Sequence, residues 1–361
     1  MPLDSRSLAW SALAQKRLPA QALVTLLRHF GNPEGLLAAP RARIAALTSP
    51  ALADRIAAPL DPQVVAATSR WLDDAAHNVV AWDDADYPPA LLALPDAPPA
   101  LFVIGRRELL SRTGFAIVGS RHGTAQGLTT AREFALALAK AGLTIVSGLA
   151  LGIDAAAHEG ALDTEASTLA VVGTGLDRVY PARNRALALR IAERGALLSE
   201  YLPGTPPRKE HFPQRNRLIS GLSCGVLVVE ATLSSGSLIT ARLAGDQGRE
   251  VFAIPGSIHS PFSKGCHRLI REGAKLVETA QDVLDELRGL TRTDAAVKPP
   301  PKHAAATPLL AAMGYDPVTV DVLVDRMRAP ADAIAAELVV LELEGRVSSL
   351  PGGRWQRAAR A

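Results

Sequence analysis

The first eighty or so residues have hydrophobic positions at helical spacing. Across residues 1–82 apolar side chains recur every three or four positions, as in Leu23, Leu26, Leu27 and Phe30. A Gly-Asn-Pro sequence then ends one helix before the next begins. The pattern predicts a small N-terminal helical domain of the helix-hairpin-helix or SAM-like kind, and a plain packing role for it stays open.

After a proline-rich stretch the pattern changes to short apolar runs that alternate with helical segments. The predicted strands are Phe115–Val118, Thr144–Ser147, Thr168–Val172, Leu197–Ser199, Val226–Glu230 and Glu250–Ile254. The predicted helices between them are Ala125–Ala141, Ile153–Ala161, Asn184–Arg194 and Ser237–Gly245. Runs that are apolar on both faces indicate a mainly parallel sheet with helices on both sides. Residues 83–290 are therefore expected to form an α/β, extended Rossmann-like domain.

The C-terminal part is expected to be a separate winged-helix domain at residues 307–361. A Pro- and Ala-rich linker is predicted before it, at residues 291–306. Beyond it the sequence predicts two helices around a turn and then two short strands around Pro-Gly-Gly, at Val318–Met327, Pro330–Glu344, Arg346–Leu350 and Arg354–Gln356. The second helix carries four acids and no base, which disfavours its insertion into a DNA groove. Contact with a phosphate backbone through the wing, or with a protein, stays open.

Composition narrows the class of protein. The chain has 361 residues, 39 Lys and Arg against 36 Asp and Glu, and a net charge of +3. Its two cysteines, Cys224 and Cys266, cannot build a disulfide framework or a four-thiolate zinc site, which fits a reducing compartment. Neither a signal peptide nor a membrane anchor is recognisable, so we expect a cytoplasmic protein without membrane insertion.

The predicted strands end in turns of small and polar residues. The first turn is Gly119-Ser120-Arg121 and the fifth strand is followed by Ser235-Gly236-Ser237. Ligands bind beyond the carboxyl ends of parallel strands, where backbone amides, hydroxyls and an arginine can hold an anion. The alternative is that such turns need glycine for geometry alone. Dinucleotide and P-loop fingerprints are absent, so no cofactor is expected.

A second feature is the basic segment Arg208–Arg217, which holds four bases and one acid. Phe212 lies among these cations, and Pro207 and Pro213 argue against a regular helix there. A positive groove with one aromatic ring suits single-stranded nucleic acid, because cations follow the backbone and any base can stack on the ring. The predicted track consists of Lys209, Arg215 and Arg217. The alternative is a solvated loop whose arginines pair with nearby carboxylates.

Catalytic and metal sites have little support in the sequence. No serine has the context of a nucleophile elbow, and the histidines lack the spacing of metal ligands. Asp154 and Glu230 lie near predicted strand ends, so either is a candidate for a ribose contact or a general base. Each is equally compatible with holding a neighbouring loop.

Five sequence blocks together resemble the DNA-processing protein A (DprA/Smf) family. They are Ala116–Arg121, Val146–Asp154 with His158, Arg215–Gly221, Ser235–Thr240 and Phe252–Gly256. The resemblance implies a bacterial cytoplasmic protein of natural transformation and competence that binds and shields incoming single-stranded DNA and helps to load the RecA recombinase. It also implies a homodimer formed through the central domain. The family's functional residues match Arg121, Lys209, Phe212, Arg215, Asn216 and Arg217.

Three hypotheses of different classes follow. The first is a non-enzymatic, sequence-independent single-strand DNA binder that uses the residues above with Gly119, Ser120, Ser235, Gly236 and Ser237. The second is a nucleotide-processing enzyme of the phosphoribohydrolase kind, with Glu230 as general base and Arg121 as phosphate clamp. The third is a scaffold whose outer domains recruit partners.

Overall fold

The computed structural model describes residues 5–287 and 307–357. Along the chain it contains a helical module, a nine-stranded sheet with flanking helices, and a small three-stranded unit. The linker predicted at residues 291–306 lies outside the described residues. No helix in the described part of the chain is long and apolar enough to cross a membrane.

Six short helices build the N-terminal module: α1 Ser5–Lys16, α2 Ala20–Phe30, α3 Pro33–Leu37, α4 Arg41–Leu47, α5 Pro50–Ala57 and α6 Pro62–Leu72. Three of them begin with proline after a side chain, on Asn32, Ser49 or Asp61, that accepts a hydrogen bond from a first-turn amide. Such capping satisfies amides that have no partner within the helix. Leu23 and Leu26 are fully buried, as the apolar spacing predicts.

The central sheet is mostly parallel. Its strands are β1 His77–Ala81, β2 Ala100–Gly105, β3 Gly114–Val118, β4 Thr144–Ser147, β5 Thr168–Val171, β6 Ala196–Ser199, β7 Ser223–Val228, β8 Glu250–Ala253 and β9 Lys275–Leu276. They lie in the order β1-β2-β6-β5-β4-β3-β7-β8-β9, with β1, β2 and β6 antiparallel to their neighbours in that group and the other pairs parallel. The six predicted strands and the Rossmann-like class are confirmed.

Strand β1 lies within the region that the sequence assigned to the helical domain. Val80 packs into one hydrophobic core, whereas Val79 and Ala81 pack into another that also contains Trp10 and Phe102. The helical module and the sheet therefore share a core. We propose that the boundary between them falls between α6 and β1 and not at residue 82.

Helices cover both faces of the sheet: α7 Pro89–Leu92, α8 Ala125–Lys140, α9 Ile153–Ala161, α10 Arg185–Arg194, α11 His211–Gly221, α12 Ser237–Asp246, α13 Lys264–Arg271 and α14 Ala280–Leu287. The alternate residues of β3 enter different cores, Phe115 and Ile117 on one side and Ala116 and Val118 on the other. This burial on both faces explains the continuous apolar runs in the sequence.

The expectation that prolines keep the basic segment out of a regular helix is wrong from His211 onward, where α11 begins. Pro213 is the third residue of that helix. Amides of the first turn have no carbonyl partner four residues earlier within the helix, so proline costs little there.

The C-terminal unit is the expected winged helix. It consists of α15 Pro308–Met313, β10 Val318–Thr319, α16 Val320–Met327, α17 Ala331–Leu343, β11 Val347–Leu350 and β12 Arg354–Arg357. Glu342, one of the acids of α17, accepts hydrogen bonds from the amide (2.9 Å) and hydroxyl (2.7 Å) of Ser349. That carboxylate thus ties the helix to the first strand of the wing.

Candidate functional site

A cavity of about 600 Å³ opens beyond the carboxyl ends of the parallel strands. Ten of the eleven residues predicted from sequence line it, and Arg217 is the exception: the ten are Gly119, Ser120, Arg121, Lys209, Phe212, Arg215, Asn216, Ser235, Gly236 and Ser237. They come from the turn after β3, the start of α11 and the turn before α12. The topology thus joins segments more than a hundred residues apart.

Two cations at this cavity are exposed and unpaired. Arg121 and Lys209 have no carboxylate within ion-pair distance among residues 5–287 and 307–357. The guanidinium carbon of Arg121 lies 5.9 Å from the centroid of the Phe212 ring, within cation–π range. An exposed cation and a half-buried ring therefore lie side by side in the lining of the cavity.

Tyr180 adds a second ring that the sequence analysis missed. Its centroid lies 5.4 Å from that of Phe212 at an interplanar angle of 38°, and Tyr180 is 46% exposed. Gly173, in the turn after β5, lies beneath Phe212, because a Cβ there would come within 3.2 Å of the ring. The signal for Tyr180 was its place in the long segment after a parallel strand, where ligand-contacting side chains concentrate.

Neutral donors line another part of the cavity. The hydroxyls of Ser235 and Ser237 are 2.7 Å apart, and Gly236 precedes the first turn of α12. The Asn216 side-chain amide donates to the carbonyl of Gly236 at 3.5 Å, which links this turn to α11. The amide of Ser120 donates to the carbonyl of Glu230 at 2.7 Å and so fixes the turn after β3. This wall offers hydroxyls and helix N-terminal amides of the kind that hold anions.

Arg215 lines the cavity but acts inside the fold. It is 5% exposed, and its guanidinium donates to the carbonyls of Gly148, at 2.7 Å, and Val171. Asp154 lies close by and accepts from the Gly148 amide at 3.1 Å. Burial lowers the pKa of Arg215 to about 10, against the opposing attraction of Asp154, so the guanidinium stays charged at neutral pH. The sequence placed Arg215 in an exposed basic track, but its guanidinium is buried and donates to backbone carbonyls inside the fold.

Arg217 turns away from the cavity. Its guanidinium donates to Asp96 at 2.6 Å and to both oxygens of Glu200, at 3.1 and 2.7 Å. Its side chain is 13% exposed. Burial raises the pKa of Glu200, although Arg217 opposes the shift. For Arg217 the geometry matches the alternative, in which arginines of the segment pair with nearby carboxylates.

The two acids considered for catalysis have structural partners. The carboxylate of Glu230 accepts from the amide (2.9 Å) and the hydroxyl (2.6 Å) of Thr124 at the start of α8, and Glu230 does not line the cavity. Burial raises its pKa, and Thr124 opposes that shift. Asp154 also accepts from the amide of Ala150 at 3.4 Å, and burial raises its pKa. Asp154 lines the cavity whereas Glu230 does not, and both acids accept hydrogen bonds that hold neighbouring loops.

The turns of small and polar residues at the predicted strand ends contribute unequally. All of Gly119-Ser120-Arg121 lines the cavity, and so does most of the turn Thr232–Ser237 before α12. Gly148-Leu149-Ala150 after β4 contributes only Ala150, and Gly173-Thr174-Gly175 after β5 and Pro255-Gly256-Ser257 after β8 do not line it. No group of three or more potential metal ligands occurs in the described part of the chain.

Comparison with known proteins places these residues in a family. Residues 78–288 match the family described as DNA recombination-mediator protein A, and residues 293–353 match the DprA winged helix domain. The chain is similar to Protein Smf of Escherichia coli, with 44% identity over 292 residues that span 78% of each chain. It is also similar to DNA processing protein DprA of Streptococcus pneumoniae, with 51% identity over 203 residues, 56% of this chain and 72% of the relative.

Two solved structures agree. The DprA structure from Streptococcus pneumoniae aligns with a TM-score of 0.66 and 41% identity, covering 76% of this chain and 95% of the other. The DprA structure from Helicobacter pylori aligns with a TM-score of 0.54 and 32% identity, covering 59% of this chain and 96% of the other. The chain belongs to the DprA/Smf family of DNA-processing proteins.

Proposed function

We propose that this protein is a non-enzymatic, single-stranded DNA-binding protein of DNA processing in natural transformation. The observation that carries the proposal is the pair of rings, Phe212 and Tyr180, beside the unpaired cations Arg121 and Lys209. The related protein of Helicobacter pylori is described as binding single-stranded DNA in a unique mode, which supports the same ligand here.

Each part of the cavity has a role in this proposal. Phe212 and Tyr180 stack on bases, and Arg121 and Lys209 contact the phosphates that flank them. Ser235 and the amides at the start of α12 add neutral donors for a further phosphate. Every base has a face that can stack, so we expect binding with little sequence preference. Paired bases do not expose their faces, so we expect single strands to bind more tightly than duplex.

Titration of oligonucleotides against wild type, Arg121→Ala and Phe212→Ala tests the proposal. For wild type, a plot of log affinity against log salt should have a negative slope of about 0.7 per phosphate contact. Arg121→Ala removes about one such contact, so the slope should become shallower by about 0.7. Phe212→Ala should weaken binding by about 1–3 kcal/mol, or about 5- to 150-fold, if one base stacks there. Arg43→Ala is the control, because Arg43 is an exposed arginine of the helical module.

Two outcomes would contradict the proposal: equal affinity for single strands and duplex, or an affinity that does not change with salt. An unchanged dissociation constant for Phe212→Ala would remove stacking and leave only the phosphate contacts.

The position of Glu230 disfavours the hydrolase alternative, because Glu230 does not line the cavity and both of its carboxylate oxygens accept hydrogen bonds from Thr124. Incubation with nucleoside monophosphates checks this directly. Release of free base that Glu230→Gln abolishes would establish the enzyme and overturn the non-enzymatic proposal.

Family membership supports the cellular part of the proposal. We infer that the protein works in the cytoplasm, shields incoming single strands, forms a homodimer through its central domain and helps to load RecA. Sedimentation velocity of the full chain should show a dimer. RecA filament assembly on strands covered by single-strand-binding protein should be faster with the protein present. A monomer at all concentrations, or an unchanged assembly rate, would refute the corresponding part.

The domain division can be tested at the C-terminal side. We propose that residues 307–361 fold separately, so a chain that ends before the linker should keep its single-strand affinity. Removing residues 1–82 is a poor test, because that deletion also removes β1 and uncovers Phe102 in the shared core.

A further inference from the structure

A second cleft, of about 480 Å³, lies between the helical module and the segment that follows β6. Arg17 and Leu18 line it from the end of α1, and Glu200 and Tyr201 line it from the end of β6. Asp96, from the loop before β2, completes the polar wall. None of the residues that the first cavity uses for stacking belongs to it.

The basic segment divides the two clefts. Lys209, Phe212, Arg215 and Asn216 line the first cavity, whereas Arg208, His211, Gln214 and Arg217 line the second cleft. Arg208 and Lys209 are chain neighbours, so their Cα atoms are about 3.8 Å apart. A polymer that leaves the first cavity past Lys209 therefore meets the second cleft at Arg208.

The second cleft has a surplus of positive charge. Arg217 donates to both of its acids, Asp96 and Glu200. Arg17 and Arg208 are exposed, and neither has an ion-pair partner among the residues that the structure describes. Three arginines and two carboxylates line the cleft, so its net charge is +1, and an anion would meet the exposed Arg17 and Arg208.

The position of Arg17 is fixed by its backbone. Its φ of 46° is in the left-handed region, and its carbonyl accepts from the Arg55 guanidinium at 3.2 Å. The guanidinium carbon of Arg17 lies 5.9 Å from the centroid of the Tyr201 ring. Tyr201 also stacks on His211, with centroids 4.1 Å apart. Because Tyr201 already has these two partners, the cleft suits phosphates better than bases.

We propose that the DNA strand bound in the first cavity continues over Arg208 and Lys209 into the second cleft, where Arg17 and Arg208 contact its phosphates. This inference rests on the proposed function. It assigns to the helical module a direct part in binding, independent of base sequence.

The test compares oligothymidylates of about 6 and about 20 nucleotides, on the scale of known single-strand sites. Arg17→Ala should leave affinity for the short strand unchanged, weaken binding of the long strand, and lower its salt slope by about 0.7 for each lost phosphate contact. Arg121→Ala should weaken both strands. Arg43→Ala removes the same charge from the same module and should change neither.

The possible failures are distinguishable. If wild type binds neither strand, the proposed function fails. If wild type binds both and Arg17→Ala leaves the long strand unaffected, or if Arg43→Ala has the same effect as Arg17→Ala, the second cleft is not part of the site. If Arg17→Ala lowers the melting temperature, Arg208→Ala replaces it in the comparison of short and long strands, because Arg208 lies in a loop. An unchanged long-strand affinity in Arg208→Ala would then overturn the inference.

Discussion

Replacing Arg215 by methionine should destabilise the fold more than it changes the surface that meets DNA. Methionine keeps much of the side-chain length but removes the donors to the carbonyls of Gly148 and Val171 and the cation beside Asp154. Breaking a buried charge pair costs about 3–5 kcal/mol, since the remaining charge is left in a poorly solvated place. At about 2–4 °C per kcal/mol for a domain of this size, the melting temperature should fall by about 6–20 °C.

The matched control is Arg121→Met, at an exposed arginine of the same cavity. It should shift stability by no more than about 0.5 kcal/mol, as surface substitutions usually do. Circular dichroism melts and urea titrations measure both variants, and strand titration below the melting range measures binding. Arg215→Met should keep the wild-type salt slope, whereas Arg121→Met should lower it. The reasoning is refuted if Arg215→Met has the melting temperature of wild type and its strand affinity depends less steeply on salt.

Three further predictions concern the supports of the cavity. Glu230→Gln keeps one acceptor for Thr124, so urea denaturation should show a loss of about 1 kcal/mol with no change in strand affinity; an affinity loss would assign the carboxylate to the ligand. Gly152→Ala should cost at least about 2 kcal/mol by the same assay, because φ is 77° and a Cβ would clash with the Ser120 carbonyl; wild-type stability would contradict this packing. Burial lowers the pKa of His158 from 6.5 to about 3, so the unfolded chain takes up the proton first and stability falls as pH drops through that interval, by up to about 1.4 kcal/mol per unit. His158→Gln should lack this component, and parallel pH profiles for the two proteins would refute it.

The sequence predicts the parallel part of the sheet well because each strand is a short apolar run with a turn at either end. It misses the two-residue parallel strand β9, and it misses β1 and β2, which pair antiparallel and are joined by a proline-rich stretch that holds only the four-residue helix α7. It also misses α11, since Pro213 in a first turn looks the same in sequence as a proline that breaks a helix.

For the candidate site, the sequence identifies which residue types carry the chemistry but not which of them point outward. Arg217 and its partner Asp96 are 121 positions apart, and only the folded chain brings them together. The same holds for the bond from Arg215 to the carbonyl of Gly148, across 67 positions. Charge counts along the segment therefore overstate the number of cations available to a ligand.

The division of residues 208–217 between two clefts constrains how this protein can change. A helix advances by about 100° per residue, so inserting one amino acid ahead of Phe212 would rotate the later side chains by more than a quarter turn. This single insertion would move Phe212 away from Tyr180 and would also break the ion pairs of Arg217 with Asp96 and Glu200. A substitution can change one of the two clefts alone. An insertion or deletion in residues 208–217 would change both, so the length of this segment is constrained.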